Sequence, residues 1–175
     1  MLDIMANRRS IRKYQEIAVE QEKVDAIIKA ALLAPSGNAI YPTRFFVVND
    51  KELIVELAKA REVGSSFLKN APLCIVVSAD PQTTDAWIED SSIAATYIQL
   101  SAQALGLGSC WVQVRNRKHS KEITSEDYVR KILNIPECLK LACIIGIGYP
   151  DEQKEPHADE RLRRDHVYAN RAEQE

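Results

Sequence analysis

The chain predicts an α+β fold, helices layered on a central sheet, on three observations. Helical and strand patterns alternate along its 175 residues, with the helical stretches outweighing the strands. Four short apolar runs, 45–48, 73–79, 110–114 and 141–148, have the length and composition of buried strands. One long stretch, 90–105, is helical in pattern yet nearly uncharged, as expected of a helix packed between layers or against a second subunit. No internal repeat or low-complexity linker interrupts the chain, so residues 1–175 read as a single domain.

Each element has its own signal. Val24, Ile27, Ile28, Ala31 and Leu32 recur at helical spacing and define one apolar face. Pro35-Ser36-Gly37-Asn38 ends that helix, because proline disfavours helical geometry before it and glycine breaks the run. The run 45–48 predicts a strand buried on both faces, after which Asn49-Asp50 caps a helix over 51–61. In the helix 90–105, Ile93, Ala94, Tyr97, Ile98, Ser101, Ala104 and Leu105 fall on one side, and Ala95, Gln99 and Ala102 on the other. Gly106-Leu107-Gly108 stops it, and Thr124-Ser125-Glu126-Asp127 opens a further helix ending at Leu133. The stretch 151–175 is highly charged and lacks apolar periodicity; it is either a frayed tail or a segment lying along a partner surface.

Composition excludes several function classes. Lys plus Arg number 23 and Asp plus Glu 25, a formal charge of −2, which argues against a nucleic-acid binder. The most apolar long stretch, 88–107, contains Glu89, Asp90, Gln99 and Gln103 and is too polar for a membrane span. Met1-Leu2-Asp3-Ile4 lacks the basic and apolar regions of a signal peptide, so a cytoplasmic protein is expected. Cys74, Cys110, Cys138 and Cys143 show no metal-ligand or CxxC spacing and read as reduced, mostly buried thiols.

Candidates for chemistry are few. Arg8-Arg9-Ser10-Ile11-Arg12 concentrates three guanidinium groups and a hydroxyl, a donor set that matches phosphate oxygens; the alternative is a solvated basic patch. A helical segment would align Arg8 with Arg12, an extended one Ser10 with Arg12. In the Pro35–Asn38 turn, Ser36 and Asn38 could hydrogen-bond a planar heterocycle and Gly37 could admit it to the backbone, although these are also ordinary turn residues. Gly106-Leu107-Gly108 and Gly146-Ile147-Gly148 lack the GxGxxG pattern of a dinucleotide fold, and no phosphate-binding GxxxxGK[ST] loop occurs. His119, His157 and His166 lie in polar segments with no orienting pattern. Any redox or transfer chemistry is therefore expected to reside in a bound cofactor.

Taken in order, three segments resemble the opening of the nitroreductase family of flavoproteins: Arg8-Arg9-Ser10-Ile11-Arg12-Lys13-Tyr14, Ala34-Pro35-Ser36-Gly37-Asn38 and Arg44-Phe45-Phe46-Val47-Val48. The resemblance continues through Ile93-Ala94-Ala95 and Leu105-Gly106-Leu107-Gly108-Ser109-Cys110-Trp111 to Ile144-Ile145-Gly146-Ile147-Gly148-Tyr149-Pro150. It implies an intertwined homodimer, a mainly antiparallel or mixed sheet flanked by helices, and FMN at the subunit interface. It assigns Arg8, Arg9, Ser10 and Arg12 to the FMN phosphate and ribityl chain. Pro35, Ser36, Gly37 and Asn38 of the other subunit would edge the flavin ring, with Leu107, Gly108, Gly146 and Gly148 lining it and leaving it room against the backbone. Arg161 or Arg163 would complete the phosphate site, and residues 151–175 would pack on the partner. The implied activity is ping-pong reduction of a nitroaromatic, quinone or similar small molecule by NADH or NADPH, with flavin N5 carrying the hydride and no catalytic side chain. A dedicated metabolite substrate, or a non-catalytic flavin-binding module, are the alternatives. Two stretches depart from the family pattern: aligned on Pro42, the usual asparagine falls on Ala39 and the usual tryptophan on Thr43, and Asp165-His166-Val167-Tyr168 follows the closing pattern loosely.

Overall fold

The computed structural model describes residues 1–171; the last part of the predicted 151–175 segment, residues 172–175, lies outside them. The described elements run α1 (Leu2–Asn7), α2 (Gln21–Leu32), β1 (Thr43–Val48), α3 (Lys51–Leu57), β2 (Leu73–Ala79), α4 (Trp87–Ala104), β3 (Gly108–Gln113), α5 (Ser125–Leu133) and β4 (Lys140–Gly148). The strands form one antiparallel sheet in the order β1-β2-β4-β3. β2 and β4 are its centre, and every residue of β2 and of β4 after Lys140 is buried.

Helices cover both faces of the sheet, which is why its central strands are continuously apolar instead of alternating. Successive side chains of a strand point to opposite faces. Ile75 and Val77 of β2 pack with Val24 and Ile27 of α2 and Ala95 and Ile98 of α4. Cys74 and Val76 face the opposite layer, with Ile54 and Leu57 of α3 and Val129 of α5. Fully burying one such Ile or Leu contributes roughly 1.5–3 kcal/mol.

Caps fall where the residue types require them. Asp50 accepts the Leu53 amide at 2.9 Å to start α3, and Thr124 accepts the Asp127 amide at 3.0 Å to start α5, which ends on left-handed Asn134. Three expectations are corrected. The strand run 45–48 is not buried on both faces: β1 is an edge strand, with Arg44 exposed and Val47 43% exposed. The helix expected over 51–61 ends at Leu57, because Ser65 turns back to donate to the Ala58 carbonyl and accept the Arg61 amide. α4 buries Ala94, Ala95, Ile98 and Ala102, whereas Ile93 and Tyr97, assigned with Ala94 and Ile98 to one side, point outward. Small residues beside Ile98 let α4 approach the sheet closely, and Ile93 and Tyr97 are left on its outer side.

Beyond α1 the chain runs extended along the open edge of β3. Ser10 bridges Ser109, the Ile11 amide donates to the Ser109 carbonyl at 3.0 Å, and Tyr14 bridges Pro150. The segment after β4 zips onto this arm: the Asp151 amide donates to the Lys13 carbonyl and the His157 amide to the Ala6 carbonyl, both at 2.9 Å. Residues 151–157 are thus hydrogen-bonded to the arm of their own chain. Residues 158–171 are exposed.

Candidate active site

The arm settles the geometry of the arginine cluster. It is extended, so Arg8 and Ser10 face one cleft while Arg9 and Ile11 face another. The first cleft, of about 500 Å³, is also lined by Thr96, Gln99, Leu100 and Trp111. The arm's backbone is also held further along, where the Arg12 and Lys13 amides both donate to the Glu152 carboxylate. The Arg12 guanidinium lies 5.9 Å from the Phe67 ring centre, and neither Arg8 nor Arg12 forms an ion pair among the described residues. Arg9 is instead tied to the Glu155 carbonyl, and Lys154 to the Ser10 carbonyl.

Electrostatics place these groups together. Burial pushes the Cys110 thiol up, while the Arg12 charge, a Ser10 hydrogen bond and the Lys154 and Arg8 charges pull it the other way. The thiol thus feels the charges of Arg12, Lys154 and Arg8. For Glu152, burial pushes the carboxyl up but is outweighed by the Arg12 and Lys13 amides and Lys154, which hold it below the usual range. Cys74 is pushed up to about 12 by burial alone, which keeps it protonated and inert near neutral pH.

The Pro35–Asn38 turn is built differently. The Ser36 hydroxyl donates to Asp90 Oδ2 at 2.6 Å and accepts the Tyr41 amide at 2.9 Å; the Gly37 amide donates to Asp90 Oδ1 at 3.0 Å. These donors are therefore directed into the chain. The Cβ position of Gly37 points toward Ala86 at 3.6 Å, not toward an open approach. Asn38, Ala39 and Tyr41 all have positive φ, at 51°, 55° and 52°. Asparagine tolerates that region, but for alanine and tyrosine it costs roughly 1–2 kcal/mol each. Asp90 is the anchor of this turn that sequence reasoning did not single out; its signal was its place, beside Glu89, in the first turn of a helix with no other charged residue.

Three of the site glycines are closed in their Cβ direction. A Cβ at Gly146 would meet Leu68 at 2.6 Å, one at Gly148 would meet Pro72 at 2.5 Å, and one at Gly108 would meet Ile11 at 2.7 Å. These glycines let the arm and the loop before β2 press onto the sheet, and that space is filled by the chain itself. Gly108 and buried Leu107 still border the second cleft, of about 1000 Å³, with Arg9, Gln103 and Glu155. Arg161 and Arg163 are both exposed, and Arg163 pairs with Asp165 at 2.9 Å. His119 stacks on Tyr128 at 3.8 Å between ring centres, away from both clefts.

The two candidate elements lie at different heights of α4. The arm meets it near Gln99 and the turn meets it at Asp90, nine residues away, which is about 13 Å along the helix axis. Comparison with known proteins then decides the family: the Nitroreductase family model matches residues 5–63 and 57–149. The chain belongs to the nitroreductase family. Among solved structures, it is similar to an FMN-dependent nitroreductase from Clostridium difficile, with 50% identity and a TM-score of 0.97, covering 98% of this chain and 100% of that one. It is 36% identical, over 95% of both chains, to an Archaeoglobus fulgidus protein assigned as a candidate NADH dehydrogenase/NAD(P)H nitroreductase. An iodotyrosine deiodinase from Thermotoga neapolitana is 26% identical over 88% of this chain and 90% of its own. The nitroreductase fold and an oxidoreductase assignment follow from this membership. No helix among the described residues is long and apolar enough to cross a membrane.

Proposed function

We propose that this nitroreductase-family protein is an FMN-dependent NAD(P)H oxidoreductase whose site is completed by a second copy of the chain. The observation that carries the reading is the arm. Its backbone is pinned by the sheet edge and Glu152, while the Arg8 and Arg12 guanidiniums form no ion pair among the described residues and, with Lys154, concentrate positive charge around Ser10. Two guanidinium forks and a hydroxyl suit a phosphate monoester such as that of FMN. Arg161 or Arg163 would add a further charge, and the Leu107-Gly108 turn would support the cofactor from below.

FMN, when bound, supplies the hydride chemistry, taking reducing equivalents from NADH or NADPH and giving them to an electron-accepting small molecule such as a nitroaromatic or quinone. The chain's own residues bind, orient and exclude water, and none is required as acid or base. Donor and acceptor share one space in turn, which is a ping-pong order.

The separation along α4 supports the second copy. A two-fold partner with α4 antiparallel to the first would bring the Asp90 end of one helix to the Gln99 end of the other, joining one subunit's turn to its partner's arm. The exposed Met5, Ile93 and Tyr97, with Leu32 and Leu33 at the end of α2, supply apolar surface for such an interface. Similarity to the deiodinase, together with the left-handed Ala39 in the turn, also supports a dedicated metabolite as acceptor.

An absorption spectrum of the purified protein, taken before and after anaerobic NADH and then NADPH, tests the reading. A yellow protein that bleaches with either donor supports it, and a panel of acceptors then separates broad reduction from a dedicated substrate. Flavin that no donor bleaches favours a binding module. Colourless protein that gains no thermal stability from added FMN overturns the reading, because ligand at about 100 times its Kd adds roughly 2.7 kcal/mol. A monodisperse monomer overturns the shared site.

A further inference from the structure

Asp90 is 4% exposed and forms no ion pair among the described residues, so its burial is compensated by hydrogen bonds and by the N-terminal end of α4. Each carboxylate oxygen takes one donor from the turn, Ser36 Oγ at 2.6 Å and the Gly37 amide at 3.0 Å. Ser36 relays the tie, because the same oxygen accepts the Tyr41 amide at the far end of the turn. Between these anchors lie the left-handed Asn38 and Ala39, and Tyr41 itself is left-handed. Arg44 adds a hydrogen bond to the Tyr41 carbonyl at 3.2 Å. Backbone in this region persists only where its surroundings over-determine it, and such strain gathers at sites that must present groups in one shape.

What the tie presents is Ile40 and Tyr41, which are 41% and 56% exposed although both are large and apolar. We infer that Asp90 is a positioning residue: by holding the Ser36–Tyr41 turn in its strained shape, it places Ile40 and Tyr41 against the acceptor space of the partner's cofactor site. This rests on the proposed oxidoreductase reading. The role belongs to the acceptor rather than to the cofactor's phosphate, because what the turn exposes is apolar, whereas the charged donors that suit a phosphate belong to the arm. A carboxylate suits the position because both turn groups are donors to it. An amide at 90 has one acceptor oxygen for these two donors, so whichever way it is turned, either the Ser36 hydroxyl or the Gly37 amide faces an N–H and loses its acceptor.

The test compares the purified protein with Asp90→Asn, Ser36→Ala and the double variant. Three readouts are used: FMN per chain, kcat/KM toward a quinone acceptor, and hydrogen exchange of the 37–41 amides. Expected for each single variant are about wild-type FMN content, kcat/KM lowered roughly tenfold or more, and faster exchange confined to the turn. The double variant should be no worse than the more impaired single one, since both break the same tie. Acceptor kcat/KM within about twofold of wild type in both singles would overturn the proposal. So would FMN lost in step with activity, which marks a role in the fold alone. Should Asp90→Asn fail to fold, Ser36→Ala breaks the tie from the other side. Wild-type protein without flavin sinks the oxidoreductase reading instead, and unchanged exchange of the turn amides in the variants then overturns the positioning role by itself.

Discussion

The N-terminal arm and the Pro35–Tyr41 turn both offered polar residues for a ligand, yet the fold holds them in opposite ways. The arm is gripped by its backbone, through the Ser109 carbonyl, the Glu152 carboxylate and the segment after β4, and its Arg8 and Arg12 guanidiniums form no ion pairs among the described residues. The turn is gripped by its polar groups, Ser36 Oγ and the Gly37 amide on Asp90, and its backbone bears the left-handed residues. An element held by its backbone can present side chains for binding; one held by its polar groups presents its shape. The two should therefore respond differently to substitution.

The largest effect is expected behind the arm. Gly108→Ala would drive a Cβ to within 2.7–2.8 Å of Ile11 Cβ and both its γ carbons, none of them the far end of a flexible chain. Overpacking of this kind costs about 1–3 kcal/mol, read as a lower denaturation midpoint, and flavin content should fall with it because the arm is displaced. An unchanged midpoint would show that the arm is not seated as described.

Next come the free guanidiniums. Arg8→Ala and Arg12→Ala should each weaken FMN binding by roughly 1–3 kcal/mol, the value of a charge-assisted hydrogen bond, while leaving the stability of flavin-free protein nearly unchanged. Full FMN retention after exhaustive dialysis of both variants would remove the phosphate assignment and blur the contrast with the turn.

Acid should loosen the arm. Glu152 titrates below its ordinary range in the folded protein, so its contribution is complete above the unfolded value of about 4.3 and is lost as pH falls through the lower folded value. A pH series of unfolding and flavin release should show that acid limb in the wild type and a flatter one in Glu152→Gln. Identical limbs would mean that the carboxylate does not clasp the arm.

The smallest effect is expected at Gly37. Its Cβ would meet Ala86 at an ordinary 3.6 Å and its φ is not left-handed, so Gly37→Ala should change stability by less than about 1 kcal/mol. A large loss at Gly37 would show that its backbone approaches something beyond its own chain.

Much of the scaffold was legible in one dimension. The runs 73–79 and 141–148 are buried strands because continuous apolar sequence demands two covered faces, and Asp50 and Thr124 cap helices because their oxygens reach orphan amides. The run 45–48 misled for a physical reason: an edge strand carries the same β-branched and aromatic residues as a central one, and only sheet order decides which neighbours cover it. The donor chemistry of the arm was equally plain in Arg8, Ser10 and Arg12, but whether it was helical or extended depended on the Ser109 edge, about a hundred residues away.

By itself, then, the sequence determined the layered α+β class, the positions of the caps and the presence of a phosphate-compatible cluster, because these follow from local propensity and from residue chemistry. The tertiary structure alone decided that Ser36 faces Asp90, that Leu68 and Pro72 fill the space beside Gly146 and Gly148, and that arm and turn stand about 13 Å apart along α4. Each of these is a meeting between residues distant in the chain. Local composition says which partners a group could accept, and only the packed fold says which one reaches it.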